Sequence, residues 1–125
     1  MSLKSWEKEF YPVTAEECAK GGGAVACLEH SIRKWTGLLP KNLAKHRMRT
    51  MRYRPGITDG HRRIGIDSYT CALCQWAENC RGCPIRKDGG CGGSALEAWY
   101  DKGNPRPMLR VMREALRAQK AGGKP

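Results

Sequence analysis

The chain has 125 residues, with 23 Lys and Arg against 12 Asp and Glu for a net charge of +11, and seven cysteines. That length allows one domain with a limited core, no apolar run approaches a membrane span, and "MSLKSWEKEF" lacks a secretory apolar region. An odd cysteine count fits reduced thiols in a cytoplasm better than a secreted disulfide framework.

In chain order, Thr14 opens "TAEECAK" with Glu17 three residues on, a capping-box pattern that predicts a short helix, interrupted by Gly21–Gly23. "AVACLEHSIRKWTG" predicts a longer one: Val25, Leu28, Ile32 and Trp35 recur at intervals of three and four, and Gly37 suits its stop. Pro40 fits the first turn of "PKNLAKHRM". From Arg47 to Arg63 the pattern is basic and aperiodic, with Pro55-Gly56 and Asp59-Gly60 as turn signals, and "RRIGID" reads as a short strand. Ser94 caps a predicted helix through "ALEAWYDK" that ends at Gly103, and Asn104-Pro105 is a break. Pro107 opens "PMLRVMREALRAQK", whose Met108, Leu109, Met112, Ala115 and Leu116 form an apolar stripe at helical spacing. "GGKP" reads as a frayed end. The expected fold is mainly α, a single domain over 1–125. It divides into a helical part at 14–46, an irregular cysteine-rich segment at 70–93 and helices at 94–120. One or two short strands before the cysteines would make it a small α+β fold.

Between Cys71 and Cys91 lie five thiols. Cys71-x2-Cys74 and Cys80-x2-Cys83 are two pairs of the kind that point both sulfurs at one metal, and Cys91 sits in "GGCGG", where the backbone can approach closely. Four thiolates complete a tetrahedral structural zinc site, so Cys71, Cys74, Cys80, Cys83 and Cys91 are the candidate ligands for one Zn2+, with one to spare. An iron–sulfur cluster is the lesser alternative: Cys83-Pro84 echoes a ferredoxin ending, but the compact ferredoxin run is absent. Cys18 and Cys27 fall in predicted helices and read as small buried residues.

"HSIRKWTGL" (His30–Leu38) followed by "CALC…CRGCP…C" resembles small, uncharacterised cysteine-rich zinc-binding proteins of phages and prophages, across residues 25–116. The resemblance implies metal binding at Cys71, Cys74, Cys80, Cys83 and Cys91, with Pro84 part of the motif, and a bacterial intracellular setting. It implies no activity.

His30, His46 and His61 are the only histidines, and none has a partner pattern for catalysis: His30 reads as solvated or capping, and the Asp59-Gly60-His61 side chains as satisfying a turn. An all-cysteine zinc shell is closed, so no enzyme is expected. Charge points to binding instead. Residues 33–63 carry ten Lys and Arg against Asp59, and 102–125 carry seven against Glu114. In the first block Arg33, Lys34, Lys41, Lys45, Arg47, Arg49, Arg52 and Arg54 interleave with Trp35, His46 and Tyr53; in the second, Arg106, Arg110, Arg113 and Arg117 fall on one helical stripe. Guanidinium groups pair with phosphate and rings stack on bases, so nucleic acid, DNA or RNA, is the expected partner. An acidic bacterial host protein, inhibited or adapted by this chain, is the alternative. Trp76, Trp99, Tyr100, Met108 and Met112 would be its apolar anchors if they are not core.

Overall fold

The computed structural model describes residues 2–51, 56–67, 71–77, 83–87, 90–91 and 94–122. Its helices are α1 (Leu3–Phe10), α2 (Ala15–Gly21), α3 (Ala24–Thr36), α4 (Pro40–Lys45), α5 (Ala72–Ala77), α6 (Ser94–Lys102) and α7 (Arg106–Gly122). Strands β1 (Arg49–Thr50), β2 (Gly56–Thr58) and β3 (Arg63–Gly65) form an antiparallel sheet, and β4 (Arg86–Lys87) pairs with β5 (Gly90–Cys91). The fold is mainly helical with a small sheet.

Local chemistry explains most boundaries. The Thr14 hydroxyl accepts from the Glu17 amide at 3.2 Å and donates to the Glu17 carboxylate at 3.0 Å, so the capping pattern is realised at its N-cap half. Pro40 takes the first position of α4, which ends at Lys45, short of the predicted Met48. Gly103 closes α6 with φ +64, a left-handed conformation that glycine adopts without steric cost. The Asn104 side chain then accepts from the Arg106 amide at 3.1 Å as α7 begins. Gly37 stops α3 as expected. It ends α3 in a right-handed conformation, and a Cβ there would lie 2.6 Å from the Phe10 ring, so it is needed for close approach rather than for a left-handed turn.

Three regions depart from the sequence reading. Helix α1 has no counterpart in it, although Leu3, Trp6 and Phe10 share one buried face. The indole of Trp6 donates to the Gly37 carbonyl at 2.9 Å, locking α1 to the end of α3. Gly56, read as half of a turn, opens the central strand β2; Pro55 lies outside the described residues. The sheet has three strands, in register Thr50↔Ile57↔Ile64, and buries Ile57. Short exposed strands such as Arg49–Thr50 carry no periodicity to read. Within the cysteine segment, expected to be irregular, α5 and the β4–β5 pair are ordered elements.

The core is continuous. It joins Trp6, Leu28, Trp35, Leu38, Ile57, Ile66, Leu73, Ile85, Trp99, Met108 and Met112. Trp35 and Trp99 meet edge to face, 5.5 Å between ring centroids. Helix α3 packs against α7 on one side and α5 on another. Leu28 and Trp35 are buried as predicted, whereas Val25 and Ile32 are half-buried. A second buried stripe, Cys27, Ser31 and Lys34, is hidden in the sequence by its polarity.

The β2–β3 turn holds the start of the chain. Asp59 accepts from the amides of His61 and Arg62 at 2.8 Å and from Leu3 at 2.9 Å, bonds that keep its carboxyl well below the usual range, the Arg62 bond contributing most. This is the backbone-satisfying role expected for that turn. Because the folded pKa is depressed, the stabilisation is complete above the unfolded value of about 3.9 and is lost as pH falls below it. Asp59→Ala should therefore lower the denaturation midpoint at neutral pH and flatten its loss on acidification; an unchanged acid profile contradicts this role.

In α7, Met108, Leu109 and Met112 are buried while Arg110, Arg113 and Arg117 are exposed, as the apolar stripe predicted. By chemical denaturation, Met112→Ala should cost about 2–5 kcal/mol. Arg113→Ala should change stability by less than about 0.5 kcal/mol.

Candidate metal centre and basic groove

Cys71 immediately precedes α5 and is 8% exposed; its carbonyl accepts from the Gln75 amide at 3.1 Å. One turn on, the Cys74 thiol hydrogen-bonds the Cys71 sulfur, as the C-x2-C spacing intends. That bond, with the Lys34 ammonium and the amides of Leu73 and Cys74, outweighs burial and holds the Cys71 thiol down at about 5. A thiolate ready at neutral pH is what a thiophilic metal requires.

Helices α2 and α3 both pack on α5, which brings Cys18 and Cys27 beside the module. The Cys18 thiol donates to the Ala26 carbonyl at 3.6 Å and contacts Cys27. Burial first, then the neighbouring Cys18 and Cys71, pushes the Cys27 thiol up to about 12. A thiol held neutral is a poor ligand, and Cys27 fills the core as its sequence context suggested. Cys83 is half-buried against the core. None of Cys18, Cys27, Cys71, Cys74 and Cys83 is in a disulfide.

Of the five candidate ligands, three have described side chains: Cys71, Cys74 and Cys83. Cys80 and the Cys91 thiol lie outside the described residues. Among the described residues no three His, Cys, Asp or Glu side chains gather as a metal-binding group. The chemistry of Cys71 and Cys74 nevertheless suits two thiolates of a zinc shell.

The histidines are engaged with backbone or carboxylate. Of the two readings of His30, solvated or capping, the ring satisfies backbone rather than water: Nε2 lies 2.6 Å from the Val13 carbonyl, the ring meets Tyr11 edge-on, and Nδ1 is buried without a hydrogen-bond partner. His46 is buried, 2.7 Å from Glu9 Oε1 and 2.9 Å from Ser5 Oγ. These contacts of His46, followed by Lys45 at 3.1 Å, hold the Glu9 carboxyl below its ordinary value. His61 stands exposed in its turn.

The first basic block does not survive intact as a surface. Lys34 is 1% exposed, Trp35 is buried against Trp99, His46 is buried, Arg33 donates to the Glu9 carbonyl at 2.7 Å, and Lys45 pairs with Glu9. The aromatic interleaving is thus corrected: Trp35, in α3, and His46, just past the end of α4, are both buried and unavailable to stack on a base. Arg47, in the left-handed region at φ 55, and Arg49 are exposed, while Arg52, Tyr53 and Arg54 lie outside the described residues. Trp99, Met108 and Met112 are core too; Tyr100 alone of the suggested apolar anchors is an exposed large side chain.

The second block holds together. Arg106, Arg110, Arg113 and Arg117 of α7, with Lys41 of α4, line a groove of about 460 Å3 floored by Leu39 and Leu109. Among the described residues none of these five cations has an acidic partner; elsewhere Lys45 and His46 pair with Glu9, and Lys120 with Glu29. Glu114, the one acid of α7, is exposed and takes no part in those pairs. Aligned cations without counter-ions make an anion-binding surface. Lys41 joins it through the α4–α7 approach, which the sequence did not display.

Compared with protein-family models, curated proteins and solved structures, the chain matches none.

The Cys71 environment has a direct consequence. In metal-free protein, ultraviolet thiolate absorbance should show one acidic step near pH 5, lost in Cys71→Ser and kept in Cys18→Ser. A first thiolate appearing only at the ordinary cysteine value contradicts the assignment.

Proposed function

We propose that this chain is a non-enzymatic, phage-type binding protein of the bacterial cytoplasm that takes the phosphate backbone of nucleic acid in its arginine groove, with one zinc bound structurally by the cysteine module. The observation that carries the binding reading is the set of five groove cations with no acidic partner among the described residues. Like charges one turn apart on a helix destabilise it by roughly 0.2–0.5 kcal/mol per pair, so an external anion relieves the fold as well as filling the groove. From Arg106 to Arg117 the helix rises roughly 16 Å, which at ~3.4 Å per phosphate along one strand matches about five charges. Arg47, Arg49, Arg52, Tyr53 and Arg54 form a second, separately testable contact. Supporting the setting are the described cysteines, none of them in a disulfide, and the lack, among described residues, of any helix long and apolar enough to cross a membrane.

The zinc reading rests on the two C-x2-C spacings and on the thiolate chemistry of Cys71. Zinc would be held by four of Cys71, Cys74, Cys80, Cys83 and Cys91 and would contribute folding free energy rather than a reaction centre. Protein purified without chelator should contain about one zinc per chain by elemental analysis. Single serine variants of those five cysteines should divide into four that lose it and one that keeps it. Iron with stoichiometric sulfide would replace zinc by a cluster; no metal at all overturns this part.

Binding is tested by salt. With about five phosphates engaged, the log–log dependence of affinity on salt should have a slope near roughly −4.5 on duplex DNA and about −3.5 on a single strand. Replacing Arg106, Arg110, Arg113 and Arg117 by Gln should make it shallower by about 3.6 on duplex DNA while leaving the circular dichroism unchanged. Absence of DNA or RNA binding, together with a nuclease-resistant acidic protein captured from bacterial lysate, overturns the nucleic-acid reading in favour of a protein target.

A further inference from the structure

The basic surface of α7 does not stop where the helix starts. At the Arg106 end the chain turns through Gly103 and Asn104, and the left-handed Gly103 lies against β1. A Cβ on Gly103 would sit 3.7 Å from the Thr50 Cγ2 methyl. Arg49 precedes Thr50 in that strand, and Arg47 stands two residues earlier. Both arginines are exposed, and neither has an acidic partner among the described residues. Asp101 and Lys102, exposed at the end of α6, leave the corner between the two sets near neutral. Two basic blocks that are far apart in the sequence thus meet at one corner.

Width and shape narrow the occupant. Spread over the roughly 16 Å from Arg106 to Arg117, the groove volume of about 460 Å3 corresponds to a channel about 5 Å across. One phosphate chain fits such a channel. A duplex holds its two chains about 12 Å apart across the major groove, so it offers the channel one chain and leaves the other outside. Beyond Arg106, chain geometry puts the Arg49 Cα within roughly 23 Å of the Arg106 Cα, a span of about seven phosphates at ~3.4 Å each. Reaching both sets means turning over the Gly103 corner. Duplex DNA, with a persistence length of about 150 base pairs, resists a turn within so few steps, whereas a single strand follows it. The groove floor, half-buried Leu39 and buried Leu109, is apolar, and only unpaired bases can turn a face towards it.

We propose that the occupant is a single strand, laid along the α7 groove and carried over the Gly103 corner onto Arg49 and Arg47, so that the two basic blocks form one continuous track. The proposal rests on the nucleic-acid reading above and names the form of nucleic acid that the site takes. Guanidinium groups on phosphates carry no base information, so the track is indifferent to sequence.

The test measures binding of 5′-phosphorylated, mixed-sequence deoxyoligonucleotides of roughly 5 and roughly 12 nucleotides, and of a duplex of the longer length, by fluorescence anisotropy over a salt series. Wild type should bind the longer strand at least about tenfold more tightly than either the shorter strand or the duplex. Arg47→Gln combined with Arg49→Gln should make the log–log salt slope on the longer strand shallower by about 1.4 and leave the shorter strand unaffected. Both side chains are exposed, so this double variant should keep the wild-type melting temperature. Gln at Arg106, Arg110, Arg113 and Arg117 should weaken both strands. A duplex bound as tightly as the longer strand overturns the single-strand assignment. A slope on the longer strand that the double variant leaves unmoved overturns the continuous track. In both cases the nucleic-acid reading stands. Wild type that binds none of the three probes overturns that reading, and the proposal with it.

Discussion

Packing of α3 between α7 and α5 is the constraint on which the other features depend. Its Leu28 and Trp35 join the core that also holds Met108 and Met112 of α7, while its Cys27–Lys34 face meets the helix that begins beside Cys71. Seating α7 by its apolar stripe turns Arg110, Arg113 and Arg117 outward together. The same helix therefore seats the arginine helix and packs on the helix that carries Cys74. In a chain of this size a metal that braces one side of α3 would also brace the arginine helix on the other.

Charge is distributed unevenly. Around Glu9, Lys45 and His46 meet the carboxylate and Arg33 bonds the backbone carbonyl, which closes α1 onto α3 and α4. Along α7 the opposite holds: the cations are adjacent and uncompensated among the described residues. Surface pairs of the first kind contribute little individually. An array of the second kind is unfavourable in the free protein, and its most direct physical use is an external polyanion.

Much of this is legible in the sequence, and the misses share a cause. The Thr14 cap, the Pro40 start, the Gly103 stop and the Met108–Met112 stripe are local signals, and local structure follows them. Helix α1 is short, and its Leu3, Trp6 and Phe10 stripe carries meaning only against Gly37, far along the chain. Strand β3 falls within "RRIGID" as read, whereas β1 and β2, of two and three residues, have no period to detect. In the site, the C-x2-C pair and the α7 arginines can be read, whereas buried Lys34 cannot: a lysine in a run of cations looks solvated. Nothing local gives warning, because α3 is buried by elements distant in the chain, α5 and α7 among them. For the same reason Trp35 looks like a stacking platform and is core.

The groove on α7 is the centre of the account, and its occupancy can be read residue by residue. Arginine-selective labelling of the protein, free and with a bound oligonucleotide, reports each guanidinium by mass spectrometry. The account predicts that Arg106, Arg110, Arg113 and Arg117 lose reactivity together on binding, while Arg62, in the turn beside Asp59, keeps its own. Nucleic acid bound with the four α7 arginines still labelled at the free-protein rate would contradict it.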